Sequence, residues 1–253
     1  MNELRPASAT AKTNPPNDTA LRAAFEVLKT YDQGSDRGAL LPIDQAAAAS
    51  LIERLSQTAL ESQLLNALRT CGSTVAGDYV CSKLALIGSE ASVPALAELL
   101  ADPQLSTSAG NALEAIPGTA PSKALRNNLV KVSGAQKVGV INSLGARRDP
   151  SSVSLLAPLM KNESLDISGA ATAALGEIAT IKAAQALQKF LPHAPEKLRH
   201  QVADAALVCA ERLIAQGDKN GAKVLYQMLI DLPYAARFTD AARKGLLGCT
   251  AAH

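Results

Sequence analysis

The sequence predicts an all-α fold: an α-α superhelix, or α-solenoid, of stacked antiparallel helix pairs. Three observations carry that prediction. The 253-residue chain is 47% hydrophobic but only 3% aromatic, with no Trp, and Ala and Leu supply most of the apolar content. Small side chains let helix backbones approach closely, whereas strands favour β-branched and aromatic residues. Next, one phrase recurs: KLALIGS (83–89), NALEAIPG (111–118), INSLGA (141–146), AALGEIA (173–179) and, as a weaker copy, ADAALVCA (203–210). These put Leu84, Leu113, Ile141, Leu175 and Leu207 in register at steps of 29, 28, 34 and 32 residues. Finally, PALAELL, KALRNNLV, SLLAPLM, QALQKFL and KVLYQML lie between them, with Leu96, Leu125, Leu156, Leu187 and Leu225 equivalent. Each unit reads as helix A, turn, helix B. One such pair cannot bury both its faces, so the units must stack.

The stretch MNELRPASATAKTNPPNDT is rich in Ser, Thr, Ala, Asn and Pro, so residues 1–18 are expected to be a disordered tail or linker. TALRAAFEVLKTY (19–31) and IDQAAAASLIERLSQ (43–57) read as helices joined by DQGSDRGALLP, an irregular N-terminal cap over 19–57. TALESQLLNALRT (58–70) and STVAGDYVCSKLALIG (73–88) form the next pair, and repeats continue through 58–192. Two longer helices around a Gly-Asp turn (202–232) and a closing helix (233–249) complete a C-terminal cap over 193–250. One array from 19 to 250 is therefore expected.

Local chemistry agrees with this order. The A phrases place apolar residues at i, i+3 and i+4, one helix face. Gly88, Gly118 and Gly145 follow B phrases, where a left-handed residue is expected after the helix end. Asp102-Pro103 and Asp149-Pro150 break the chain between helices. Ala109, Ala112, Ala171 and Ala174 precede the B anchors and let neighbouring units pack tightly.

The copies between residues 58 and 192 resemble HEAT repeats of the short HEAT-like, or PBS-lyase-type, kind. LAELLADPQLSTSAGNALEAIPG and LAPLMKNESLDISGAATAALGEIA carry the family's leucine ladder, its mid-turn Asp or Asn and its late Ala-Leu phrase. Many HEAT repeats place Arg or Lys early in helix B, pairing with the turn Asp. Here Ser106 and Ser168 stand at those places, so no continuous Asp–Arg ladder is expected. From about residue 19 the chain also resembles HEAT-repeat arrays of planctomycete and verrucomicrobial bacteria, through YDQGSDRGALLPID, YVCSKLALIG, KVGVINSLGARRD and ERLIAQGDKNGAKVLY. That resemblance implies an array without assigned catalytic residues, in some cases exported and joined to sugar-active domains.

The residues themselves assemble little chemistry. His193 and His200 are separated by Pro195, His253 is the last residue, and no ligand set completes a metal site. Cys71, Cys81, Cys209 and Cys249 form no CxxC; Cys71 and Cys81 fall too far apart to bridge, while Cys209 and Cys249 could pair or stay buried as thiols. No phosphate loop, nucleophile elbow or carboxylate pair stands out, so neither catalysis nor a cofactor is expected. Charge is the anomaly. No acid lies between Glu114 and Asp149, while Lys123, Arg126, Lys131, Lys137, Arg147 and Arg148 contribute +6 in a chain whose net charge is +2. Stacking would place part of this set on one basic face, a candidate surface for an acidic partner segment, against the plainer reading of a solvated face. With few aromatics to stack bases, nucleic acid is disfavoured.

The function these features favour is a non-catalytic scaffold, monomeric, that binds another protein or domain through its groove or central basic face. A bilin lyase-like enzyme and a substrate-positioning module of a larger exported sugar-active protein are the alternatives. No apolar run of about eighteen residues spans a membrane and no signal stretch opens the chain; the cytoplasm is expected if the chain is whole, the periplasm if it is part of an exported protein. The register makes a direct prediction. Leu175→Ala should cost about 2–5 kcal/mol in chemical denaturation, and replacing Leu4 should leave the midpoint in place. Equal effects would undo the register.

Overall fold

A computed structural model describes residues 18–52 and 54–250, the side chains of 54, 55, 234–236 and 250 excepted. The expected tail lies outside the described residues, apart from Asp18. Among the described residues the chain is all-α, with fourteen α-helices, short 3-10 turns and no strand. It divides into two compact units, up to Ser89 and from Glu90.

In the first unit α1 (Asp18–Leu28) leads through a 3-10 turn at Arg37–Leu40 to α2 (Leu41–Ser50), α3 (Arg54–Thr70) and α4 (Thr74–Ile87). The helix expected over 43–57 is two helices. Ile52 N–H donates to the Ala49 carbonyl at 3.1 Å, and the buried Ser50 hydroxyl takes the Ala47 carbonyl at 2.8 Å. This tighter pattern ends α2, and residues 54–57 join the next helix. Leu28, Leu40, Ile43, Leu64, Leu84 and Ile87 are at most 1% exposed and make the core. Ser73 caps α4 by accepting from Ala76 N–H at 3.0 Å while its hydroxyl donates to the Tyr31 carbonyl at 2.5 Å, tying the start of α4 to the chain after α1.

The second unit follows the repeat. Its helices are α5 (Val93–Leu99), α6 (Ser106–Ala115), α7 (Ala120–Leu129), α8 (Gly134–Ala146), α9 (Val153–Leu156), α10 (Leu165–Ile178), α11 (Ile181–Phe190), α12 (Arg199–Ala215), α13 (Lys219–Asp231) and α14 (Thr239–Thr250). The B helices α6, α8, α10 and α12 pack side by side in one layer; the A helices α5, α7, α11 and α13 pack against them and make the second. Pro94 and Pro121 sit in the first turns of α5 and α7, where the missing N–H has no intrahelical partner to lose. Pro158 sits later in its A segment. It cannot donate to Ser154, so α9 stops at Leu156 and continues as a 3-10 turn, Ala157–Lys161.

The leucine ladder holds: Leu96, Leu125, Leu156, Leu187 and Leu225 are fully buried, as are Leu84, Leu113, Ile141 and Leu175. Leu207 is half-buried, and Ala206, Cys209 and Ala210 face the core of α12 instead. The glycine expectation holds at one place in three. Gly118 is left-handed at φ 89°, but Gly88 has φ −63°, and Gly145 lies inside α8. Ala179, at φ 46°, takes the left-handed position after α10, its N–H donating to the Leu175 carbonyl at 3.1 Å.

Gly145 and Gly176 serve close approach. A Cβ on Gly145 would lie 2.8 Å from Ala174 Cα, and one on Gly176 would lie 2.6 Å from the Ala205 carbonyl oxygen. Both neighbours are backbone, so the helices would have to separate. Gly139 points into open space on the same α8. Gly176→Ala should therefore destabilise by about 1–3 kcal/mol, whereas Gly139→Ala should stabilise by about 0.5–1 kcal/mol through helix propensity. Urea unfolding of the two variants measures opposite signs; equal signs would contradict the packing.

Candidate functional site

The six cations singled out by the sequence are spread over two helices and the turns that follow them. Lys123 and Arg126 lie on α7, Lys131 in the turn after it, Lys137 in the first turn of α8, and Arg147 and Arg148 just past its end. Because α8 has 13 residues, Lys137 and Arg148 stand roughly 16 Å apart along its axis at about 1.5 Å per residue. Lys123, Lys131 and Arg148 are exposed and Lys137 is half-buried.

The two remaining arginines are engaged in bonds inside the protein. Arg126 pairs with the buried Asp149, whose carboxylate also accepts from the Ser152 hydroxyl at 2.5 Å. Arg147 reaches back to the end of α6. Its Nη1 donates to the carbonyls of Leu113, Glu114 and Ile116 at 2.8, 2.8 and 2.7 Å, Nη2 to Gly118 O at 2.6 Å, and Nε to Ser122 Oγ at 2.8 Å. Three of these carbonyls belong to the C-terminal end of a helix, where the last acceptors have no intrahelical donor and the helix dipole favours a cation. Burial lowers the Arg147 pKa while the charges of Asp149 and Glu114 oppose it. One further inter-repeat pair, Glu177 with Arg212, joins α10 to α12. Two isolated pairs and one backbone clamp thus stand where an Asp–Arg ladder was not expected. Ser168 helps to replace it, its buried hydroxyl donating to the Met160 carbonyl at 2.5 Å.

A second polar cluster, in the first unit, escaped the sequence. Asp44 on α2 receives Tyr79 Oη at 2.9 Å, Lys83 Nζ at 2.8 Å and Arg37 Nη2 at 2.9 Å. Both cations also lie over the Tyr79 ring, Arg37 at 4.7 Å and Lys83 at 5.0 Å from its centroid. Burial raises the Asp44 pKa, but the hydrogen bonds of Lys83 and Tyr79 and the two cationic charges outweigh it and leave it below the usual value. The cluster joins α2, α4 and the 3-10 turn between α1 and α2; every member has its partner, as a structural knot requires.

The other candidates are plain. All four cysteines are free thiols, and burial pushes Cys81 and Cys209 up to about 12, away from nucleophilic use. His193 and His200 are exposed, and no group of metal-ligating side chains forms among the described residues; His253 lies outside them. Three shallow depressions mark the second unit. One runs over α8, α10 and the start of α12, between Asn142, Ala173 and Gln201. The other two adjoin on the A layer and share Met160, Lys161, Lys189 and Phe190.

The repeat register, the two-layer packing and the interior glycines are those of a helical repeat array. Residues 122–207 match the family model for HEAT repeats. The matched HEAT segment runs from α7 into α12 and includes the closely packed α8 and α10. No curated protein matches the chain. Among solved structures, the complex of CpcE and CpcF of phycocyanin lyase from Nostoc sp. is similar at 18% identity and TM-score 0.45, over 97% of this chain and 99% of that one. The expectation that the chain is no enzyme does not stand beside a lyase complex and is withdrawn. At this similarity no residue role or substrate carries across. No helix among the described residues is long and apolar enough to cross a membrane.

The clamp makes a prediction. Arg147→Lys keeps the charge but loses the planar fork that reaches five acceptors, and should cost about 1–3 kcal/mol. Arg148→Lys, one residue on and exposed, should stay within about 0.5 kcal/mol of wild type. Thermal unfolding of both variants distinguishes a clamp from a solvated charge.

Proposed function

We propose that the chain is a helical-repeat scaffold that holds another protein. What supports this reading is the division of labour among its charges. The arginines nearest the repeat junctions, Arg126, Arg147 and Arg212, are engaged in internal bonds that fix one repeat on the next. The exposed lysines of the second unit, Lys123, Lys131, Lys161, Lys182 and Lys189 among them, stay on the outer surface, as do the shallow side-chain-lined depressions on both layers. A stiff frame presenting polar side chains at fixed spacing suits a partner surface, because little conformational freedom is lost on binding. Lys123, Lys131 and Arg148 remain available to such a partner at the repeat edges.

The test is cross-linking of the full chain in its source lysate, followed by size-exclusion chromatography and mass spectrometry. The expected result is one stoichiometric protein partner, cross-linked to surface lysines of the second unit and co-eluting with it. A chain that elutes alone and yields no inter-protein cross-link would overturn the scaffold reading.

A further inference from the structure

The adjoining depressions on the A layer carry a charge pattern that the central basic stretch does not. Lys182, Gln185 and Lys189 stand at i, i+3 and i+7 on α11, one stripe of the helix, and Lys161 faces them from the end of the preceding 3-10 turn. Ala157, Met160, Ala186 and Phe190 lie between. The depression then continues past Asn162 to His193 and Pro195. All three lysines are exposed, and none forms an ion pair among the described residues.

No carboxylate lines either depression. Glu163 and Glu196, the nearest acids in sequence to Lys161 and Lys189, are exposed and stand outside the lining; Glu177, near Lys182, is held by Arg212. Three like charges around one shallow slot raise its potential and favour an anionic occupant. Lys182 and Lys189 are about 10 Å apart along the helix axis at 1.5 Å per residue. That spacing matches two carboxylates seven apart on a helix, or three apart on an extended chain at about 3.3 Å per residue. Met160 and Phe190 are 4% and 5% exposed. They form a closed apolar floor and present no free ring face for base stacking.

We propose that the Lys161–Lys182–Lys189 groove seats an acidic segment of a partner protein, its carboxylates on the lysines and an aliphatic side chain over the Met160–Phe190 floor. The proposal rests on the scaffold reading and locates its surface.

The experiment uses the full chain and fluorescence anisotropy with three labelled probes: a short peptide of alternating Glu, Asp and Leu, its Gln/Asn/Leu counterpart, and a short DNA duplex. Wild type should bind the acidic peptide and not the neutral one, and should weaken steeply with added salt. Lys182→Glu/Lys189→Glu should weaken binding by about tenfold or more, whereas Lys223→Glu/Lys244→Glu, reversing two exposed lysines on α13 and α14, should leave it unchanged. Circular dichroism checks that both variants stay folded, and Lys182→Gln/Lys189→Gln gives an intermediate loss that separates charge loss from repulsion. Equal loss in the control variant, no binding of the acidic peptide, or DNA binding through the same lysines with equal strength would each overturn the proposal. A cross-linked partner that survives Lys182→Glu/Lys189→Glu would overturn it too, while leaving the scaffold reading in place.

Discussion

Close backbone approach within the B layer is the constraint on which the second unit depends. Gly145 lies against Ala174, and Gly176 against the backbone of Ala205. At such separations there is no room for large side chains at the points of contact, and Ala170, Ala171, Thr172 and Ala174 are all buried on α10. Small residues contribute little apolar area each, but they permit many dispersion contacts along the whole length of two neighbouring helices. The large residues are displaced to the seam between layers, where Leu96, Leu125, Leu156 and Leu187 fill the space that the small ones leave.

Polar links at the repeat edges complement that packing. The Arg126–Asp149–Ser152 group and the Glu177–Arg212 pair each connect residues more than twenty positions apart in sequence. Asp149 is 8% exposed, and its Oδ2 accepts from both Arg126 and Ser152. An acid so placed is tolerable because it is satisfied, and removing one partner would leave the other charge stranded. The arginines therefore tie particular neighbouring repeats together, while the leucines fill the seam common to all of them.

The fold was largely legible in the sequence because leucine periodicity reports burial directly. It failed at Leu207, where two small residues and a cysteine took over the core of a longer helix, and at 43–57, where an alanine-rich run concealed a turn made by Ser50. Glycine was ambiguous for a physical reason: the same residue serves a left-handed turn at Gly118 and a close helix contact at Gly145, and spacing alone does not separate the two. The candidate site was read less well. A run without acids looked like a surface, yet two of its arginines turn inward to carbonyls and to Asp149, acceptors that a charge count does not see. The lysines of the A-layer groove were missed for the converse reason. Glu163, Asp166 and Glu177 lie between Lys161 and Lys182 in sequence and cancel them in any running sum, but none of these acids lines the groove.

The Arg147 clamp has a consequence for how such an array can change over generations. The carbonyls it holds belong to the repeat before its own, so the end of α6 is finished by a residue encoded some thirty codons later. A repeat placed after α6 without an arginine at this position would leave those carbonyls without this donor. The end of α6 and the arginine after α8 thus form one physical joint, despite a sequence that reads as interchangeable parts.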